Sequence, residues 1–300
     1  MCERLPIEIL CEILRTAAED FLPRDRQSVL NIALTATVAY GVAMPVLYRT
    51  LYADQDSIET ALRVFGDGQS ASSDGSGILR DPPSRRLCPL VRRLYLYHRH
   101  NLPIMDFQKL FNLERLLLYH GFLQPEDLEA VPPSVTHVGV LTRAVLHFAT
   151  PSVTHVSYYW ENRYGYVSDS SLESQVLDGL LLRPTASAVT HIALDLAVEL
   201  APPGVNDLRR TVQVILARPK TKILALHVLG EAAKPDNRRI LLGMMRQVVR
   251  SKEDSRRVVW WFDPRSLNSE VEDIRVCCEE QILGRDVWTE GRWIELEERT

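Results

Sequence analysis

"PSVTHVGVL" (Pro133–Leu141) and "PSVTHVSYY" (Pro151–Tyr159) share one phrase, and "SAVTHIALDL" (Ser187–Leu196) repeats its core a third time. The phrase sets histidine at His137, His155 and His191, each time between Val-Thr and a further apolar residue. A histidine so placed is a metal ligand, a catalytic group or a rung of a repeating architecture. The wider pattern, apolar-x-x-apolar-x-apolar, extends on both sides. It reads Val91-Leu94-Leu96, Leu113-Leu116-Leu118, Val135-Val138-Val140, Val153-Val156-Tyr158, Val189-Ile192-Leu194 and Ile223-Leu226-Val228. A weaker last copy, "RRVVWWFDP", centres on Val259 and Trp261. Alternation of this kind predicts strands with one buried side.

The central anchors of the first six copies lie 22, 22, 18, 36 and 34 residues apart. Between them, "QPEDLEAV", "LTRAVLHFA", "LESQVLDGLLL", "NDLRRTVQVILA" and "NRRILLGMMRQVVR" read as helices, with Asn206 and Asp236 or Asn237 as N-caps. Strand, helix, strand at a near-fixed period predicts parallel strands joined by right-handed crossovers. The first three spacings lie within or just below the leucine-rich repeat period of roughly 20 to 29 residues. The pattern resembles that repeat and implies an irregular leucine-rich-repeat-like solenoid over residues 87–300, with a parallel sheet and outer helices. A doubly wound α/β sheet is the alternative, but it supplies no reason for the phrase to recur. The C-terminal "NSEVEDIRVCCEEQILGRDVWTEGRWIELEERT" reads as a helix and an aromatic tail, with Trp288, Trp293 and Ile294 covering the open end of the stack.

Residues flanking each central anchor project to the opposite, exposed face. Before the anchor stand Arg93, Arg115, His137, His155, His191 and Ala225; after it stand Tyr95, Leu117, Gly139, Ser157, Ala193 and His227. Beyond the third anchor come Tyr97, Tyr119, Leu141, Tyr159, Asp195 and Leu229. Parallel strands about 4.8 Å apart stack these into ladders, one basic or imidazole and one rich in tyrosine. Arg93, Tyr95, Tyr97, Arg115, Tyr119, His137, His155, Tyr159 and His191 are thus the expected substrate-binding face, suited to an acidic or phosphorylated segment. The bland alternative is a solvated sheet face. "YYWENRYGY" (Tyr158–Tyr166) is a further candidate for partner contact, or for packing beneath the longer repeat.

Enzyme and metal chemistry find little support. His137 and His155 fall on adjacent strands, but no Cys, Asp or Glu in the phrase supplies a third ligand. Cys277 and Cys278 on a helix diverge by about 100°. No G-x-S-x-G, Walker loop, HExxH or dinucleotide fingerprint is present. The expectation is a non-enzyme without cofactor or metal.

The chain has 300 residues, 46% hydrophobic and 25% charged, with a formal charge of −4. That balance gives no general attraction to nucleic acid or to an anionic membrane. No apolar run reaches the roughly 18 to 20 residues of a membrane span. The five cysteines lack CxxC spacing and read as reduced thiols in a cytoplasmic or nuclear protein.

The N-terminus differs in texture. Ile9, Leu10, Ile13, Leu14 and Ala17 follow the spacing of an amphipathic helix, with Pro6 in its first turn and Glu8 near its positive end. A second helical run carries Val29, Leu30, Ala33 and Leu34, and Pro45 interrupts or restarts it. "LPIEILCEIL" followed by "VLNIALTATVAYGVAMPVLYRTLYA" resembles the F-box, in the F-box-like form common among fungal proteins. The Cys/Arg-rich turn ending in tryptophan that is usual there reads "ALTATVAYGVAMP" in this chain. The resemblance covers about one sixth of the sequence and implies docking on the small adaptor subunit of a cullin–RING ubiquitin ligase. Leu5, Pro6, Ile9, Leu10, Ile13 and Leu14, with Val46, Leu47 and Leu51, would form or support that surface. A plain helical cap on the larger region is the other reading.

The expected organisation is a helical module over residues 1–53, a connecting segment over 54–86 with a Gly/Ser/Pro-rich loop at 66–86, and the repeat region over 87–300. Before that loop, "LYADQDSIETALRVF" looks like a strand and a helix. The implied role is substrate-recognition adaptor of the ligase, the solenoid holding an unidentified protein substrate. A stand-alone binding scaffold is the competing role.

Overall fold

The structure is a computed structural model that describes residues 6–22, 25–53, 88–97, 110–119, 131–140, 151–160, 188–196, 202–229, 234–249, 251–263, 288 and 291–293. It is a mixed α/β fold around one nine-stranded sheet. The strands are β1 (Thr50–Ala53), β2 (Arg93–Tyr97), β3 (Arg115–Tyr119), β4 (His137–Val140), β5 (His155–Trp160), β6 (His191–Leu196), β7 (Ile223–Leu229), β8 (Val258–Asp263) and β9 (Arg292–Trp293). They lie side by side in chain order, parallel from β1 to β8, with β9 antiparallel to β8. Among the described strands the order never reverses, as a doubly wound sheet must at its switch point.

Successive strands start alike. Two consecutive N–H groups donate to one carbonyl of the strand before: Thr136 and His137 to Glu114 O, Thr154 and His155 to Thr136 O, Thr190 and His191 to Thr154 O. One carbonyl has two lone pairs, so the shared acceptor satisfies both donors and fixes where each strand begins. The repeated Val-Thr-His marks this starting point.

The observed register corrects the last two copies. Ile192 pairs with Leu224 and Leu194 with Leu226, so the central anchor of β7 is Leu224. The expected anchor, Leu226, is two positions late, a slip that keeps every side chain on its own face. In β8 the anchor is Val258, paired with Leu224, and Trp260 follows opposite Leu226. The expected centres Val259 and Trp261 are one position out, and a one-residue slip sends a strand's side chains to the opposite face. The registered anchors Leu94, Leu116, Val138, Val156, Ile192, Leu224 and Val258 lie 22, 22, 18, 36, 32 and 34 residues apart.

These anchors form one continuous core with Leu194, Leu196, Leu226 and Val228, and each is at most 4% exposed. Helices α4 (Pro202–Ala217) and α5 (Pro235–Val248) close this face with Leu208, Val212, Ile215, Leu216 and with Leu241, Met244, Met245, Val248. Both helices begin earlier than the sequence suggests. Asn206 lies inside α4, and Asp236 and Asn237 lie inside α5, where Pro235 takes the first turn and Lys234 the cap position. Arg257 holds the C-terminal end of α4, donating to Leu216 O at 2.9 Å, Arg218 O at 3.1 Å and Thr221 O at 2.7 Å. The carbonyls that end a helix lack partners, and a guanidinium there satisfies them and opposes the negative end of the dipole. The other three expected interstrand helices, loop 66–86, the C-terminal helix and Ile294 lie outside the described residues.

The N-terminal region is three helices, α1 (Ile7–Phe21), α2 (Arg26–Thr35) and α3 (Thr37–Arg49). Pro6 sits at the cap position of α1, and its carbonyl accepts from Leu10 N at 3.1 Å. Asp25 caps α2, accepting from Gln27 N at 3.0 Å. The Ser28 hydroxyl holds the Asp25 carboxyl below its usual range. The small core of Ala18, Val29, Ala33, Ala43, Met44 and Val46 lets the helices approach closely. Pro45 neither ends nor restarts a helix, because it lies exposed within α3. From Arg49 the chain passes directly into β1, and Leu51 packs on the sheet core.

Candidate partner-binding surfaces

The face of the sheet opposite α4 and α5 carries three rows of side chains. The first runs Arg93, Arg115, His137, His155, His191 and Ile223, one residue per strand. The second runs Tyr95, Leu117, Gly139, Ser157, Ala193, Ala225 and Val259. The third includes Asp195, His227 and Trp261; in the backbone register Tyr97 pairs with Tyr119, and Tyr159 with Asp195. The register thus moves Ala225 and His227 one row from their expected places.

In the first row the imidazoles form a stack. Ring centroids are 3.9 Å apart between His137 and His155 and 4.1 Å apart between His155 and His191, with interplanar angles of 16° and 14°. These distances are shorter than the strand spacing of about 4.8 Å, so the rings lean together into contact. Each Nδ1 is hydrogen-bonded at 2.8 Å to the hydroxyl of the threonine before it: Thr136, Thr154 and Thr190. That bond gives the Thr-His pair its recurrence, since it orients each ring identically.

The stack resists charging. Burial, then His155, Arg115, His191 and Arg93, push His137 down to about 3. Burial and then Lys222 lower His191. Two unit charges 4 Å apart repel by about 4 kcal/mol at a surface-like dielectric, so neighbouring imidazolium rings are disfavoured. In-plane lone pairs on near-parallel rings also run side by side, whereas a metal needs ligands that converge. Among the described residues, no group of three or more His, Cys, Asp or Glu is placed to hold a metal ion.

The second row departs from the expected solvated face. Tyr95 is 1% exposed, Leu117 is 8%, and Ala193 and Ala225 are fully buried. The row is bulky at its ends and small in the middle. Leu117 leans into the space beside Gly139, where an added Cβ would lie 1.8 Å from Leu117 Cδ1. Over Ala193 and Ala225 the space is taken by Trp261 and Trp288. Trp288 also meets His155 and His191 edge-on, with centroids 5.4 and 5.7 Å away. It therefore lies on the middle of this face instead of covering the end of the stack. Trp293, also expected as an end cover, is 52% exposed, and the end strand is instead paired by the backbone of β9.

In the third row, His227 Nδ1 lies 3.0 Å from Asp195 Oδ1, and the imidazole stacks on Trp261 at 4.6 Å and 7°. His227 is 5% exposed and Asp195 6%, and among the described residues His227 Nε2 has no hydrogen-bond partner. The pair was not legible as a pair in the sequence, because the 32-residue step from Ile192 to Leu224 had to be registered first.

The other candidate surface is on α1. Ile9, Leu10 and Ile13 are 49%, 38% and 52% exposed, Ile7 is 50%, and Pro6 is exposed beside them. Leu14 is half-buried, and Ala18 is the one buried residue of the helix. The remaining expected members separate from this stripe. Val46 is buried in the three-helix core, Leu47 packs against that core, and Leu51 belongs to β1. Leu5 lies outside the described residues. Leu34, expected on one face with Val29, Leu30 and Ala33, is 70% exposed whereas Val29 and Ala33 are buried; Val38 and Tyr40, not singled out from the sequence, are exposed at 41% and 50%.

Comparison with protein-family models, with curated proteins and with solved structures finds no match for this chain. Among the described residues, no helix is long and apolar enough to cross a membrane.

Proposed function

We propose that the chain is a substrate-recognition adaptor of a cullin–RING ubiquitin ligase, built from an F-box-like helical module and an irregular leucine-rich-repeat-like solenoid. The observation that carries this reading is the stripe of Ile7, Ile9, Leu10 and Ile13, four large apolar side chains left in water on one short helix. Contiguous apolar surface of this kind marks an interaction site. It falls where the F-box resemblance would place contact with the small adaptor subunit. The solenoid reading is supported by parallel strands in unbroken chain order and by anchors that recur at 22, 22 and 18 residues. Such an adaptor catalyses nothing; it raises the effective concentration of a substrate lysine near the ubiquitin carrier. Its compartment would be the cytoplasm or the nucleus.

Purified full-length protein mixed with the adaptor subunit tests the reading. A stable complex is expected, and Leu10→Asp with Ile13→Asp should weaken it by about a hundredfold or more, as loss of central hydrophobic anchors does. Absence of a complex with the unaltered chain removes the ligase role. A second reading, a binding scaffold without a ligase, is favoured by the direct passage of α3 into β1, which makes the helices a cap on the first strand. It would be adopted on that outcome.

A further inference from the structure

The small-residue row forms the floor of a groove across the strands. Ala193 and Ala225 lie at its base, His155 and His191 stand on one side, and Asp195, His227 and Trp261 stand on the other. Trp288, brought from some 60 residues beyond Ala225, packs against that floor. The groove is thus shaped for an indole and is filled by the chain itself.

The fit is incomplete on one side. In the neutral imidazole, an accepting Asp195 carboxylate places the proton on Nδ1 of His227 and leaves the lone pair on Nε2, on the far side of the ring from the pair. Among the described residues that buried Nε2 meets no donor. A polar atom taken from water without a partner lowers stability, and supplying the missing donor recovers the loss. Trp288 fills the apolar part of the groove and leaves this requirement unmet.

We propose that this groove is a recognition site for a protein segment bearing a tryptophan side chain, and that Trp288 is its displaceable intramolecular stand-in. The incoming ring takes the place over Ala193 and Ala225, edge-on to the histidine stack, and its indole N–H donates to His227 Nε2. Aromatic side chains with a polar edge suit a site that is apolar at its base and polar at one wall. The proposal deepens the substrate-binding half of the preceding reading and rests on it, but it concerns a site remote from α1.

The test uses full-length protein and N-acetyl-tryptophanamide as the probe, with N-acetyl-phenylalaninamide as a ring lacking the N–H donor. Trp288→Ala should bind the tryptophan probe at least about tenfold more tightly than the unaltered protein and prefer it to the phenylalanine probe. Adding His227→Asn, whose amide still reaches Asp195 but lacks Nε2, should bring the two probes to within about twofold. Equal binding by unaltered protein and Trp288→Ala overturns the proposal, as does a preference that survives His227→Asn. Should Trp288→Ala fail to fold, the indole N–H resonance of Trp288 in the unaltered protein decides. It should shift as the tryptophan probe is added, and a resonance unmoved up to the probe's solubility also overturns the proposal. Adaptor capture is measured on the same preparations. Capture without probe binding sinks the groove alone, and probe binding without capture sinks the ligase alone.

Discussion

Of the eleven large apolar side chains exposed among the described residues, eight lie between Ile7 and Tyr40, on α1 to α3. The sheet does the reverse and takes Thr50, Asp195 and His227 out of water. The helices meet the entropy of ordering with a small core and leave apolar surface over, so their unspent capacity is hydrophobic. The sheet has ample core on one face, and its other face holds polar groups whose requirements are nearly but not fully met. A region of the first kind needs an apolar partner; one of the second kind can discriminate among partners by their donors.

The sharpest way to break this contrast is to cut the sheet core. Ile192 is fully buried between neighbouring anchors, and Ile192→Ala should cost about 2–5 kcal/mol in urea unfolding, the range for large-to-small changes that leave a cavity. A cost below about 1 kcal/mol would mean that β5 to β7 do not share a packed core. Next comes Arg257, whose guanidinium serves three carbonyls around the end of α4. Arg257→Ala should cost about 3 kcal/mol, because charge-assisted hydrogen bonds are each worth more than neutral ones. Arg257→Lys should recover less than half of that, since an ammonium cannot span the same fork.

The contrast also shows what could be read in advance. The parallel strands from β4 to β6 were legible because Val-Thr-His marks where each begins, at the shared carbonyl, whereas β2 and β3 follow from the apolar spacing alone. The shared carbonyl persists at β7, where Lys222 N and Ile223 N both donate to Thr190 O, but "TKILALHVL" carries no Thr-His to announce it and offers apolar residues at both Ile223 and Leu224. Periodicity alone then could not choose the anchor, and β8, with Val258, Val259, Trp260 and Trp261 in succession, gave no alternation to follow. The covering of the second face was also hidden. A small-residue row at Gly139, Ser157, Ala193 and Ala225 announces a close neighbour only once the strands are aligned, and Trp288 is distant in sequence. On the helices, the apolar spacing of α1 was plain. What spacing could not separate was Val46 in a core, Leu51 in a strand and Leu10 in water.

Acid should sharpen the comparison further. In the folded chain His137 is held down to about 3, against an ordinary value of 6.5. The unfolded chain therefore takes up this proton first as pH falls, and stability from the neutral stack is complete above about pH 6.5 and is lost toward pH 3. The direction is the same for His191. One such group gives a slope of about 1.4 kcal/mol per pH unit, read as the shift of the urea midpoint between pH 6 and pH 4. His137→Asn should flatten that slope. An unchanged slope would place the acid sensitivity elsewhere than in the stack.

The smallest expected effect on stability is the one that matters most for function. Leu10 and Ile13 already face water, so Leu10→Asp and Ile13→Asp remove little buried area and should each shift unfolding by less than about 0.5 kcal/mol. Glu8 and Glu12 lie within four residues, and an added carboxylate on the same turn repels them by only a few tenths of a kcal/mol, about the value of an i,i+4 pair. A loss of several kcal/mol would instead mean that the stripe is packed against part of this chain, and α1 would then be the helical cap of the scaffold reading. An unchanged midpoint beside abolished adaptor capture separates the two without ambiguity, because a residue that contributes nothing to folding and everything to association is held for the partner.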